Sequence, residues 1–300
     1  MSAYLALVPE DVDLAEFWSK YYGQVLGAQP EVLRAIYAAS PAHLLARARV
    51  AEAERVVDAG CGFGILGLMC ADLPAHIIGV GREGELLGGA RHFRPEGDFR
   101  SGSLAALPLE AGEVDTYVGI SALECTDEPL SVSLAEARRV LAPGGRLFVV
   151  GLRLPPLLGL RARAKYSCTL GDIEVERAGG PETVAEGRAI AVFHPRQHWI
   201  DAAKAAGFEQ VSVRGCDALA GLSFAPEVPS PFRFLGRRRS EATAMRLARG
   251  APLSWLDRMW VEDPEYAPAS AMGLLRRVWS YWNVLEARVP GVRTGASRRN

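Results

Sequence analysis

The chain has 300 residues, 49% of them hydrophobic, which is enough for a substantial core and excludes both a disordered chain and a small disulfide-stapled scaffold. Its 34 Lys and Arg against 35 Asp and Glu leave a net charge of −1, so no global field draws in nucleic acid or an anionic membrane. The five cysteines (Cys61, Cys70, Cys125, Cys168, Cys216) contain no C-x-x-C pair, which argues against a zinc site and a disulfide framework and favours reduced thiols in a cytoplasm.

At the start of the chain Glu10, Asp11, Asp13 and Glu16 interrupt the apolar stretch a signal peptide needs, and no apolar run reaches membrane-spanning length. A cytoplasmic protein without stable membrane insertion is expected. Residues 1–45 are expected to form an N-terminal helical lid. Within it Phe17-Trp18-Ser19-Lys20-Tyr21-Tyr22-Gly23 reads either as an amphipathic helix packing its aromatic side on the core or as a segment whose Tyr21 or Tyr22 closes a pocket.

From about residue 54 to 215, short β-rich apolar runs alternate with helix-like segments, the pattern of a parallel sheet covered on both faces. Strands are predicted over 55–59, 76–80, 116–120 and 146–150. Helices are predicted over 65–72, 83–91 and 130–141, the last stopped by Pro143-Gly144-Gly145. A further helix over 197–206, a stop at Gly207 and a strand over 208–213 complete this core. The expected division is a core over 46–150, a lid insertion over 151–195, a return to the core over 196–216 and a helical, substrate-capping region over 217–300. The flanking segments, with the helix at 199 counted among them, hold Trp18, Trp199, Trp255, Trp260, Trp279 and Trp282, which suit a cover over an apolar ligand or a second small core.

After the first core strand the chain reads Val56-Val57-Asp58-Ala59-Gly60-Cys61-Gly62-Phe63-Gly64, and a helix follows at once. Glycines let the backbone turn tightly and approach a ligand, and a helix start presents free N–H groups, so a nucleotide-like cofactor is expected there. Glycines alone would also serve a plain strand-to-helix turn; Asp58, two residues before Gly60, narrows the reading.

These residues resemble the D-x-G-x-G-x-G pattern of the class I S-adenosylmethionine-dependent methyltransferases. Three later stretches extend the resemblance: Leu107-Pro108-Leu109 followed by Gly112-Glu113-Val114-Asp115; Leu123-Glu124; and Leu141-Ala142-Pro143-Gly144-Gly145-Arg146-Leu147. Their order and spacing match over about residues 45–215. The resemblance implies an α/β fold with a doubly wound, seven-stranded, mostly parallel sheet of the Rossmann-like methyltransferase type, with helical lid insertions and S-adenosylmethionine beyond the carboxyl ends of the strands. It implies that Asp58, Gly60, Cys61, Gly62 and Gly64 hold the amino-acid end of the cofactor, with Gly81, Arg82, Ser103, Leu104, Ser121 and Tyr21 as its remaining contacts. A carboxylate at Asp58 that merely caps local N–H groups is the rival reading.

The sequence departs from the family at two acids. Where the family carries a ribose-binding acid after the second strand, this chain has Gly81, in Gly79-Val80-Gly81-Arg82-Glu83; where it carries an acid beside the adenine, this chain has Gly102-Ser103. A hydrogen bond to a charged group is worth roughly 1.5–3 kcal/mol, so an unreplaced ribose acid weakens binding by about one to two orders of magnitude. Glu83, Glu85 and the Ser103 hydroxyl are the candidate replacements. The same departure admits a competing NADP reading, because Gly62-Phe63-Gly64-Ile65-Leu66-Gly67 also satisfies G-x-G-x-x-G and Arg82 stands where such folds accept a 2′-phosphate. A third reading is a methyltransferase fold that has lost methyl transfer and acts as a partner or as the catalyst of another reaction, such as a cyclisation.

Methyl transfer requires alignment and exclusion of water more than a large set of catalytic side chains. The candidates are Glu124 after the fourth strand, His194, which forms a pair with His198, and Tyr166 in the insertion. Glu124 is alternatively a lid-orienting residue and His194 an N-terminal hydrogen-bonding residue of its helix. Pro195 and the want of a third ligand argue against a metal. The arginine clusters at 233–249 and 276–299 read as solvated helix faces and loose termini, or as a site for a carboxylate, a diphosphate or a carrier-protein surface. The function expected is methyl transfer to a small, largely apolar molecule of the quinone, terpenoid, sterol or polyketide kind. A homodimer is left open, and no nucleic-acid partner is expected.

Overall fold

A computed structural model describes residues 4–8, 41–126, 128–152, 163–168, 171–177, 188–216 and 282–291. In chain order the elements are β1 (Tyr4–Val8), α1 (Pro41–Val50), β2 (Arg55–Ala59), α2 (Ile65–Met69), β3 (His76–Gly81), α3 (Glu85–Phe93), β4 (Asp98–Ser101) and β5 (Val114–Ile120). A 3-10 turn over Leu123–Cys125 precedes α4 (Leu130–Val140), β6 (Leu141–Leu152), β7 (Arg163–Cys168), β8 (Gly171–Arg177), β9 (Arg188–Phe193), α5 (Arg196–Ala205), β10 (Glu209–Cys216) and β11 (Trp282–Arg288).

Seven strands form the main sheet in the order β10-β11-β6-β5-β2-β3-β4. The pairs from β6 to β4 are parallel, and β11 runs antiparallel to both β6 and β10. The strand order turns around at β2, whose neighbours are β3 on one side and β5 on the other, so a crevice opens beyond the carboxyl end of β2. This is the Rossmann-like methyltransferase fold.

Alternation along the strands explains the two faces. Val57, Ile78, Val80, Tyr117, Leu147, Val149 and Leu285 face one side, where Leu130, Leu134 and Ala137 of α4 and Trp199 and Ala203 of α5 cover them. Val56, Val118, Phe148, Val150 and Val284 face the other side, under Ala42, Ala46 and Val50 of α1 and the whole apolar run of α2. Both faces are dry, and each such aliphatic side chain contributes roughly 1.5–3 kcal/mol by leaving water. Within β6, Leu141 pairs with Val114 but Arg146 pairs with Thr116, so residues 142–145 bulge out of the ladder. Gly144 takes φ 80°, and a Cβ at Gly145 would meet the Ala142 carbonyl oxygen at 2.7 Å, which is why the Pro-Gly-Gly stretch breaks here.

Three expectations are corrected. Within the N-terminal 1–45 segment, Tyr4–Val8 is a strand, because its Leu-Ala-Leu-Val run is too apolar and too short for an independent helix, and it pairs antiparallel with β8 and β9. The insertion after β6 likewise contributes strands: β7, β8 and β9 join β1 in a second sheet of order β7-β8-β1-β9. Finally, the tail expected to be helical returns as β11 inside the main sheet, between β10 and β6, where Val284 and Leu285 are each 1% exposed. Arg49 Nε donates to Glu286 at 2.7 Å and Arg214 pairs with the same carboxylate, fastening β11 between α1 and β10.

Of the six tryptophans, Trp199 is 1% exposed and belongs to the core, its ring filling the space that Gly151 leaves on β6. That position corrects the lid role for this residue. Trp18, Trp255, Trp260 and Trp279, and the arginine clusters apart from Arg288 at the end of β11, lie outside the described residues, and among the described residues no helix is long and apolar enough to cross a membrane.

Candidate active site

The turn that leaves β2 is built from left-handed glycines: Gly60, Gly62 and Gly64 have φ of 76°, 53° and 71°. Gly60 and Cys61 donate their N–H groups to the Val80 carbonyl of β3 at 2.8 and 3.0 Å, which pins the turn to the sheet. The three glycines are required for different reasons. A Cβ at Gly60 would lie 2.4 Å from Ala122 Cβ, and Leu104 closes in at 3.9 Å, so the loops after β5 and β4 press onto the turn. A Cβ at Gly64 would lie 2.8 Å from the Phe99 ring. A Cβ at Gly62 would meet nothing within 4 Å, so this is the residue whose missing side chain leaves room for a ligand.

Asp58 ends the strand immediately before this turn. It is 5% exposed, and no hydrogen bond reaches its carboxylate among the described residues. Burial alone pushes its pKa up to about 7. An ionised carboxylate in that place lacks a partner that a cationic ligand group would supply. The charge deficit and the open side of Gly62 together fit the ammonium-bearing, amino-acid end of S-adenosylmethionine.

Cys61 is 7% exposed and turns its Sγ away from solvent toward Gly79 and Gly81, and burial, with the Asp58 charge, raises its thiol pKa. Phe99 of β4, which the sequence pattern did not single out, lies within 3 Å of where Cβ atoms on Gly64, Gly79 and Gly97 would be. The three absent side chains make the slot for one ring; the signal in the sequence was glycine on successive elements, one of them inside a strand.

At the far rim, Gly81 ends β3 opposite Ser101 of β4 and accepts a hydrogen bond from Gly102 N at 2.9 Å. Glu83, one candidate to replace the ribose acid, is instead drawn to Arg91 Nη1 at 2.7 Å on α3. The side chain of Glu85 lies outside the described residues. Ser103 uses its Oγ to accept the Ala105 N–H at 3.1 Å and keeps its hydroxyl proton for another acceptor. Arg82, the first residue after β3, is exposed.

On the β5 side, Ser121 adopts φ 50°, uncommon for a non-glycine residue, while its N–H donates to Val150 at 2.8 Å. Backbone held in that region at a crevice rim marks a position fixed by its surroundings. Glu124, in the 3-10 turn that follows, is 1% exposed. His194 stacks on His198 at 4.8 Å and meets Trp199 edge-on at 5.6 Å. Burial and the neighbouring His198 lower its pKa to about 4, so its imidazole is neutral near pH 7. Among the described residues no three His, Cys, Asp or Glu side chains could jointly hold a metal ion. The Tyr166 side chain and Tyr21 lie outside the described residues.

A separate cleft of about 580 Å³ lies by Arg55, Arg100, Pro108 and Glu113 and holds none of the residues expected to contact the cofactor. Its cations are neutralised by Glu113 and Asp98 at 2.9–3.3 Å.

The crevice therefore lies at the switch point of an open, mostly parallel α/β sheet. Residues 57–149 match the family model described as Methyltransferase domain. Over 95 residues the chain is 37% identical to a probable S-adenosylmethionine-dependent methyltransferase of Mycolicibacterium smegmatis, a match spanning 31% of this chain and 36% of that protein. It is 34% identical over 100 residues to a ubiquinone biosynthesis O-methyltransferase of Aromatoleum aromaticum, spanning 32% of this chain and 42% of the relative. The chain thus spans well under half the length of these curated relatives. A solved S-adenosylmethionine dependent methyltransferase from Mesorhizobium loti superposes with a TM-score of 0.46 at 18% identity, covering 78% of this chain and 90% of that one. Residues 57–149 are a class I S-adenosylmethionine-dependent methyltransferase domain.

Proposed function

We propose that the protein binds S-adenosylmethionine at the glycine turn and transfers its methyl group to a small, largely apolar molecule. The observation that carries this reading is Asp58, buried without a hydrogen-bond partner among the described residues beside the open flank of Gly62. When bound, the sulfonium supplies an already activated methyl group.

The chain's own tasks are then binding, alignment and exclusion of water. The ionised Asp58 receives the cofactor's ammonium, and the backbone from Gly60 to Gly64, with Cys61 packed behind it, shapes the cradle. The Ser103 hydroxyl and the Leu104 side chain flank the adenine, and Ser121 holds the β5 rim. Glu124 is the candidate to take a proton from an acceptor hydroxyl or to stabilise a cation formed on an apolar acceptor. His194, with a pKa of about 4, is a weak base near neutrality and serves better as a neutral hydrogen-bonding group on the acceptor side. Tyr166 and Tyr21 are proposed to complete the acceptor and cofactor walls.

An acceptor of the quinone or phenol kind is supported by the relative named for ubiquinone biosynthesis, whose O-methylation is its own activity. Absence of both ribose and adenine acids at Gly81 and Ser103 favours, as the second reading, the fold without methyl transfer. The discriminating experiment incubates the protein with S-adenosylmethionine carrying a labelled methyl and a panel of catechols, hydroquinones and terpenoid alcohols. Label in the organic extract that disappears in Glu124→Gln supports transfer at this site; cofactor binding without label on any acceptor supports the second reading.

A further inference from the structure

On the face of the main sheet that α5 covers, Val213 of β10, Leu285 of β11 and Val149 of β6 pair across three strands and are all buried. One step nearer the crevice edge, the same register brings together Gly215, Asn283 and Gly151. Residues two apart on a strand share a face, so Asn283 points to the α5 side with a glycine on either hand. The row leads toward the crevice: Ile120 pairs with Val150, which puts Ser121, at the end of β5, beside Gly151.

Asn283 is 2% exposed, yet among the described residues neither its Oδ1 nor its Nδ2 has a hydrogen-bond partner. Trp199 Nε1, equally buried, has none either. These three groups lie together. A Cβ at Gly151 would stand 2.5 Å from Trp199 Cζ2 and 3.4 Å from Cε2, the atom bonded to Nε1. Asn283 is directly opposite Gly151, and such antiparallel pairs hold their Cβ positions about 5 Å apart. Buried amide and indole groups are nearly always paired, and glycine inside a strand marks a place where something else approaches closely. The half-buried His194 ring meets the same indole edge-on at 5.6 Å and stacks on the exposed His198, so solvent lies two rings away from Trp199.

We propose that Asn283 and the Trp199 N–H form a specificity subsite for the methyl acceptor, gripping a neutral oxygen, a phenolic hydroxyl or a quinone carbonyl, at the end remote from the transferred methyl group. The inference rests on the methyl-transfer reading above and adds to it where the far end of the acceptor is held. Asn283 Nδ2 and Trp199 Nε1 donate to the lone pairs of that oxygen, and Asn283 Oδ1 accepts a hydroxyl proton when one is present. Gly215, Asn283, Gly151 and Trp199 carry no charge, so a carboxylate or phosphate would enter the row unpaired, a cost that a neutral oxygen avoids. Neighbouring strands lie about 4.8 Å apart and β11 is two strands from β5, so the subsite stands about 10 Å from the Ser121 rim, which a two-ring acceptor with one hydrogen bond spans.

The test titrates the full chain, saturated with S-adenosylhomocysteine, with 2,6-dihydroxynaphthalene and with 2-naphthol, which differ only in the second hydroxyl. Wild type binds the diol about tenfold to a hundredfold more tightly, the range for one hydroxyl meeting otherwise unpaired buried groups. Asn283→Leu, close in size and without polar atoms, brings that ratio below about threefold, and its ligand-free melting temperature is at or above that of wild type because no hydrogen bond is lost. The Trp199 indole N–H resonance, assigned by its disappearance in Trp199→Phe, shifts along the binding curve of the diol in the wild-type protein, a readout that needs no Asn283 variant. Saturation with S-adenosylhomocysteine but equal affinity for the two probes, no uptake of either, an unmoved indole resonance, or a preference that survives in Asn283→Leu overturns this inference and leaves the cofactor reading standing. Failure to bind S-adenosylhomocysteine overturns both.

Discussion

Replacing Asp58 by Asn separates what this residue costs the fold from what it gives the site. The carboxyl pKa rises from its ordinary value of 3.8 to about 7 in the folded protein because burial penalises its ionised form. A group whose folded pKa is raised stabilises the fold most below its unfolded pKa, and that stability drains away as pH rises toward and through the folded value. Roughly three units at 1.36 kcal/mol each place an upper bound of about 4 kcal/mol on the penalty at pH 8, against about 2 kcal/mol at pH 5.5. Asn resembles protonated Asp in shape and hydrogen-bonding need, so the unmet polar group is common to both and cancels. Urea unfolding of the ligand-free protein should show Asp58→Asn more stable than wild type at pH 8, by up to about 4 kcal/mol, with a gap about half as large at pH 5.5. The same variant should lose S-adenosylhomocysteine binding at both pH values, while wild-type affinity falls about tenfold per unit below pH 7 as the carboxylate is protonated. A variant that is no more stable at pH 8, or that binds like wild type, refutes the argument that Asp58 is a buried charge kept for a ligand.

Two alanine substitutions in one turn should behave differently. Gly60→Ala drives a methyl into Ala122 at 2.4 Å and should fold poorly; Gly62→Ala meets open space and should cost only the left-handed backbone, about 1–2 kcal/mol, while cofactor titration detects lost affinity. Trp199→Ala empties a core site that is 1% exposed and should lower unfolding free energy by about 3–5 kcal/mol in urea, with cofactor binding retained at low denaturant. His194, with its pKa lowered from 6.5 to about 4 by burial, contributes stability that is present above pH 6.5 and lost as pH falls through 4, so His194→Gln should flatten the acid limb of the thermal stability profile between those values.

The cofactor half of the chain was legible because strand, glycine turn and helix signals agree there. The runs around Val57, Ile78, Val118 and Val149 are apolar on both faces, and Asp58 with Gly60 and Gly62 stands at the one switch point. The helices over 65–72 and 83–91 were displaced by two or three residues because Gly84, with φ 145°, starts α3 later and Cys70 ends α2 early. β11 was invisible to local reading. Its residues Trp282–Arg288 become a strand only because Val149 and Val150 of β6, more than 130 positions earlier, provide a ladder. β1 depends in the same way on β8 and β9. At the site, Asp58 and the glycines announce themselves by spacing, whereas the slot for Phe99 and the pressure of Ala122 on Gly60 exist only after four elements have met. Glu83 illustrates the converse: its position suggested a ribose contact, and a local pairing with Arg91 claims it.

Titration of the purified protein with S-adenosylhomocysteine and, separately, NADPH at pH 8 bears most directly on the crevice beyond β2. Saturable binding of the first that vanishes in Asp58→Asn, with no response to the second, is the predicted result. Saturable NADPH binding without S-adenosylhomocysteine binding contradicts it.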